Sequence, residues 1–119
     1  MKKILVVDDN SDILAVMKLY LNNKGFNVVT ESNGSEAHNV VNAFKPDLII
    51  LDVFLGNSDG RKICNELKMQ EETKNTPIII FSANAKPDDV MKACSANEFL
   101  PKPFELSNLL KIIQRYTSN

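Results

Sequence analysis

The sequence is poor in the residues from which metal clusters and nucleophilic enzymes are usually built. Its 119 residues include two cysteines and one histidine. Cys64 and Cys94 have no second cysteine or histidine at metal-ligand spacing, which excludes a zinc cluster and leaves two partly buried free thiols as the expectation. His38 stands beside the apolar positions Ala37, Val40, Val41 and Phe44 rather than among them, so it belongs on a solvated helix surface with no catalytic role. Charge of one sign is also missing. With 14 basic and 15 acidic side chains the net charge is -1, and no face is basic enough to hold a phosphate backbone. Direct nucleic-acid binding by this chain is not expected. Long apolar runs are absent as well: the opening MKKILVVDD stops at two aspartates, too short for a signal peptide or a membrane span. A soluble, cytoplasmic protein with no membrane partner is expected. There is no linker, low-complexity tract or repeat, and the length suits one well-buried core, so residues 1–119 should form one domain.

What is present is an alternation of short β-branched runs with amphipathic stretches. The runs are Lys3 to Val7, Phe26 to Thr30, Asp47 to Leu51, Ile78 to Phe81 and Glu98 to Leu100. Most are continuously apolar, as strands buried on both faces of a parallel sheet must be. Between the first two, Ile13, Val16, Met17, Tyr20 and Leu21 repeat with helical spacing, Asn10 is placed to cap the start and Gly25 the end. The second helix carries the stripe ending at Phe44 and stops at Lys45-Pro46. A third starts at Asp59 as N-cap and buries Ile63 and Leu67. A fourth has Pro87 in its first turn and buries Val90, Met91 and Cys94. The last, after Pro103, turns Leu106, Leu109, Leu110 and Ile113 to one side. Five strands alternating with five helices predict a doubly wound α/β domain with helices on both faces, and right-handed crossovers leave only a few strand orders.

The chemistry gathers at one edge of that sheet. Asp8 and Asp9 end the first strand, Asp52 ends the third, Ser82 follows the fourth and Lys102 the fifth. In an open parallel sheet those ends lie side by side, at the crevice where ligands bind. Three carboxylates brought together repel one another unless a cation lies among them. Magnesium suits such a set and leaves positions for phosphate oxygens. Lys102 adds a fixed positive charge and Ser82 a hydroxyl donor, both fitted to the oxygens of a phosphoryl group in transfer. With no histidine or cysteine in the set, the natural nucleophile is a carboxylate, giving an aspartyl phosphate. Each feature alone is a common turn or cap; their joint occurrence in this order is what points to phosphoryl transfer.

The segments ILVVDDN, DLIILDVFLGNSDG, PIIIFSAN and FLPKPF closely resemble the signature segments of response-regulator receiver domains of two-component signal transduction, and the resemblance runs from Lys2 to the last helix. It implies a flavodoxin-like (βα)5 sheet with strand order 2-1-3-4-5, and a phosphorelay signalling domain that assists its own phosphotransfer and autodephosphorylation rather than an enzyme. By the same resemblance Asp52 is the phosphoacceptor and Asp9 a direct ligand of Mg2+ or Mn2+. Asp8 is then a ligand mainly through water, and the backbone carbonyl of Phe54 a further one. Ser82 and Lys102 would hold the phosphoryl oxygens. The implied donor is a phosphohistidine on a sensor histidine kinase or a histidine phosphotransfer protein. The resemblance further implies that on phosphorylation Ser82 moves toward the phosphoryl group and Phe99 turns from exposed to buried. That shifts the surface of the fourth helix, fifth strand and fifth helix, which controls an unidentified downstream protein. A cis Lys102-Pro103 peptide is also implied. Phe54 and Asn84, two residues after Asp52 and Ser82, flank the path of the hydrolytic water; an apolar ring there predicts slow self-dephosphorylation.

Three positions depart from the family pattern. Gly56 stands where proline is usual, which should loosen the loop and cost about 0.4 to 1 kcal/mol through unfolded-state entropy. Cys94 stands where a glycine commonly closes the fourth helix, so that helix must end differently or bear strain. Phe54 occupies a variable position. Two rival readings remain: an aspartate-nucleophile phosphatase, which needs a second acid where this chain has Phe54, and a degenerate receiver acting only as an interaction module, which would lose acidic or lysine positions that are all kept here. No output domain is expected within these 119 residues, and the sequence fits a single-domain regulator and an excised receiver equally well.

Overall fold

The computed structural model describes residues 1–83 and 86–118; Asn84 lies outside the described residues. Strands follow along the chain as β1 (Lys3–Val7), β2 (Asn27–Glu31), β3 (Leu48–Asp52), β4 (Phe54–Leu55), β5 (Ser58–Asp59), β6 (Ile78–Ser82) and β7 (Glu98–Pro101). Five of them form one sheet in the order β2-β1-β3-β6-β7, every pair parallel. With the small β4-β5 ribbon set aside, this is the expected 2-1-3-4-5 order.

Alternation along each strand sends side chains to two separate cores. Leu5 and Val7 of β1 and Ile78 and Ile80 of β6 join one cluster; Ile4, Val6, Ile79 and Phe81 join the other. Helices α2 (Ala37–Phe44), α3 (Gly60–Met69) and α4 (Pro87–Ala93) cover the first face with Ala37, Val41, Ile63, Leu67 and Val90. Helices α1 (Ser11–Asn23) and α5 (Leu106–Thr117) cover the second with Leu14, Met17, Leu21, Leu109 and Ile113. Both faces being covered is why the central strands β1, β3 and β6 are apolar along nearly their whole length, while the edge strands β2 and β7 carry polar residues. Full burial of each such side chain contributes about 1.5–3 kcal/mol.

The helix ends follow local chemistry. The Asn10 side chain accepts hydrogen bonds from the backbone of Asp12 and Ile13. At the other end of α1, Gly25 (φ 94°) lets its own N–H reach Asn22 and that of Phe26 reach Leu21, closing the last carbonyls. Asp59 caps α3 through the N–H of Arg61, as the sequence predicts.

Several expectations are corrected. Val16 is 52% exposed, and Leu14 takes the inward place, because the face of α1 that meets the sheet runs through Leu14, Met17 and Leu21. Met91 is likewise exposed, leaving Val90 to anchor α4. Both cysteines are buried rather than partly so. Cys94 ends α4 in an extended conformation (φ −151°), so no left-handed residue is needed there and no strain arises from the missing glycine. His38 is half-buried and paired with Glu66 of α3 at 2.9 Å, not merely solvated. Gly56 (φ 68°) forms the tight turn of the β4-β5 ribbon, a conformation closed to proline; the glycine specifies this loop instead of loosening it. Among the described residues no helix is long and apolar enough to cross a membrane.

Candidate functional site

The strand order reverses direction between β1 and β3, and the C-terminal ends of these strands open the crevice where side chains from distant parts of the chain meet. Asp52, the last residue of β3, is 5% exposed; Asp8, just beyond β1, is fully buried, and Asp9 is exposed. Each offers a carboxylate oxygen, and these atoms lie within 4.8 Å of one another. Lys102, directly after β7, donates from Nζ to Asp8 Oδ2 at 2.8 Å and to Asp52 Oδ2 at 3.4 Å. Its backbone N–H donates to the carbonyl of Ser82 at 2.9 Å, tying the ends of β6 and β7 together. The second oxygen of Asp8 accepts from the backbone of Asn10 at 2.9 Å. The Lys102-Pro103 peptide is cis, as expected.

Burial pushes the Asp52 carboxyl above the usual carboxylate range, and the charge of Asp8 pushes it further; the Lys102 ammonium opposes both by its charge and hydrogen bond. The pocket thus has more negative charge than its one lysine offsets. Hard oxygen donors in this arrangement fit a divalent cation of the magnesium type. Ser82 supplies the second unsatisfied group: its hydroxyl is buried with no hydrogen-bond partner among the described residues. Leaving a buried hydroxyl unpaired costs about 1–3 kcal/mol, and such a group survives where an incoming ligand oxygen can use it.

Of the other residues singled out, Phe54 lies on β4 with its side chain 50% exposed. Phe99 is half-buried against the core beneath α2, α3 and α4, at neither extreme of the expected movement. Two contributors were not foreseen. Gly60 packs against the carbonyl of Asp52, and Phe81 lies under Lys102. The only sequence trace of the first is the Asp-Gly pair opening α3; the second is hidden in an apolar run. Beside Lys102 a groove of about 550 Å³ runs between α1 and the β7-α5 loop, lined by Ile13, Val16, Met17, Pro103, Phe104 and Leu106 among others.

The family described as response regulator receiver domain matches residues 4–114. The chain belongs to that family. This receiver domain is 36% identical over 119 residues to the alkaline phosphatase synthesis transcriptional regulatory protein PhoP of Bacillus subtilis (strain 168), covering 96% of this chain and 49% of that protein. It is 34% identical to the phosphate regulon transcriptional regulatory protein PhoB of Pseudomonas aeruginosa, over 98% of this chain and 53% of PhoB. The receiver thus spans about half the length of these relatives. Among solved structures, the chemotaxis response regulator CheY4 of Vibrio cholerae superposes with a TM-score of 0.89 at 33% identity, with 98% of each chain covered. The receiver domain of sensor histidine kinase PA1611 from Pseudomonas aeruginosa PAO1, solved with a magnesium ion in its active site cleft, superposes with a TM-score of 0.88 at 30% identity, covering 99% of this chain and 98% of that one.

Proposed function

We propose that this receiver takes a phosphoryl group from a phosphohistidine of a sensor histidine kinase or histidine phosphotransfer protein onto Asp52. A carboxylate oxygen of Asp52 attacks phosphorus as the P–N bond breaks, and the departing imidazole keeps the bonding pair and takes up a proton. The observation that supports this most is the Lys102 ammonium bridging Asp8 and Asp52 beside the unpartnered Ser82 hydroxyl. Both donors suit phosphoryl oxygens as negative charge builds on them. Asp9, Asp52 and the Phe54 carbonyl would hold Mg2+ or Mn2+ directly. Both Asp8 oxygens already have hydrogen-bond donors, which supports its role as a ligand through water. The bound cation would offset charge on the carboxylates and on the phosphoryl group. We place the donor over the apolar groove, which lies open next to Lys102.

In this reading Ser82 swings to the phosphoryl group and Phe99 turns further inward, changing the surface of α4, β7 and α5 that a downstream protein reads in the cytoplasm. Phe54 and Asn84 set the lifetime of the phosphorylated state. Incubation with phosphoramidate and magnesium followed by intact-mass measurement tests the proposal. Wild type should gain one phosphoryl group and Asp52→Ala none. No gain in wild type would leave only an interaction module with a receiver fold.

A further inference from the structure

We infer that Phe81 is a positioning residue for Lys102, its ring holding the lysine ammonium over the acidic pocket by cation–π attraction. The inference rests on the reading of Asp52 as phosphoacceptor. Phe81 is the penultimate residue of β6 and is completely buried. Its ring centroid lies 4.5 Å from Lys102 Nζ, well within cation–π range. The same nitrogen is 2.8 Å from Asp8 Oδ2 and 3.4 Å from Asp52 Oδ2, so the ammonium rests between two carboxylates and an aromatic face. The Lys102 side chain is 16% exposed, which leaves little water to screen the attraction.

A lysine on a flexible four-carbon stem follows whichever carboxylate is more negative. Both carboxylates would change during the reaction: Asp52 becomes an acyl phosphate, and Asp8 would share its charge with a cation through water. The ring does neither. Its quadrupole is the constant element in the ammonium's surroundings, and it keeps Nζ within reach of Asp52 when the balance between the acids alters.

The same ring also anchors the following turn. Phe104, two residues beyond Lys102, meets Phe81 edge-on with centroids 5.8 Å apart and planes at 69°. Together with the Lys102 to Ser82 backbone bond, this fixes the turn to the end of β6 on both sides of the cis peptide. The remaining core residues of β6 are Ile78, Ile79 and Ile80. An aliphatic side chain at position 81 would fill the core in the same way but offer no π-face.

Phosphoramidate and magnesium provide the assay, since this donor needs no docking partner. Phe81→Leu should lower the rate of phosphoryl gain about tenfold while the domain remains folded by circular dichroism. Leucine also removes the edge contact with Phe104, so the deciding series replaces Phe81 by phenylalanines bearing one, two and three ring fluorines. These keep the shape and progressively weaken the negative face. The logarithm of the rate should fall with each fluorine while the thermal midpoint stays in place; equal rates across the series overturn the inference. A second readout does not involve phosphorylation: ring current from Phe81 should shift the Lys102 ε-methylene protons upfield in wild type and not in Phe81→Leu. Unshifted protons in wild type also overturn it. Failure of wild type to gain a phosphoryl group, or gain by Asp52→Ala, removes the reading beneath the inference, an outcome distinct from a flat fluorine series in an active protein.

Discussion

Gly60 lies so close to the backbone carbonyl of Asp52 that a methyl group on its α-carbon would overlap the carbonyl oxygen. The contact is made by backbone on both sides, and the Gly60 N–H is itself bonded to Val53 at 2.8 Å, so neither partner can yield. Gly60→Ala should therefore destabilise the domain by about 1–3 kcal/mol, as overpacking does, and displace the end of β3. Thermal denaturation and phosphoryl uptake should both suffer. A variant that melts and reacts like wild type would show that the start of α3 can move away from β3.

Ser82→Ala should separate stability from reactivity. The hydroxyl has no partner among the described residues, so its removal should leave the melting temperature unchanged or slightly raised. Phosphoryl uptake from phosphoramidate should slow, since one donor to the phosphoryl oxygens is gone. Clear destabilisation on removing the hydroxyl would instead show that it is bonded in the resting protein.

Asp52 makes stability depend on pH in an unusual direction. Its folded-state carboxyl lies above the ordinary range, chiefly through burial, so the native protein binds that proton more tightly than the unfolded chain does. The ionised group costs stability at neutral pH, and the cost disappears as pH falls through the raised value toward the ordinary carboxylate range. Asp52→Asn should melt higher than wild type at pH 7, with the gap closing in acid. Magnesium should narrow the gap at pH 7 by stabilising wild type. A gap that does not vary with pH would show that Lys102 fully compensates burial and Asp8.

Phe54→Asn should shorten the life of the phosphorylated protein several-fold. The ring is half-exposed, so replacing it should change stability by no more than about 0.5 kcal/mol. An asparagine can orient water where the ring cannot. Phosphate release measured at one magnesium concentration decides the matter, and an unchanged rate would make Phe54 a bystander.

The strands and the acidic site were readable because both depend on local composition: the central strands, covered on two sides, must be apolar along their length, and Asp8, Asp52, Ser82 and Lys102 each stand at the end of a strand. The inward face of α1 was misjudged because Ile13, Val16 and Met17 fit a helical stripe as well as Leu14 and Met17 do, and only contact with the sheet selects between them. The β4-β5 ribbon has two residues per strand, too few to show a period. The Phe81–Lys102 contact depends on the register Phe81↔Leu100 and Ser82↔Pro101 between β6 and β7, which no local pattern encodes.

Lys102 and Asp8 are bonded across 94 positions of sequence, with Asp52 brought in from the strand between. No fragment that lacks β7 contains the whole centre, and its members meet only when β1, β3, β6 and β7 have paired. A half-made or misassembled copy is therefore chemically mute. On the reading of Asp52 as phosphoacceptor, only molecules in which those four strands have paired can relay a phosphoryl group, so the long span between the two residues would act as a check on folding.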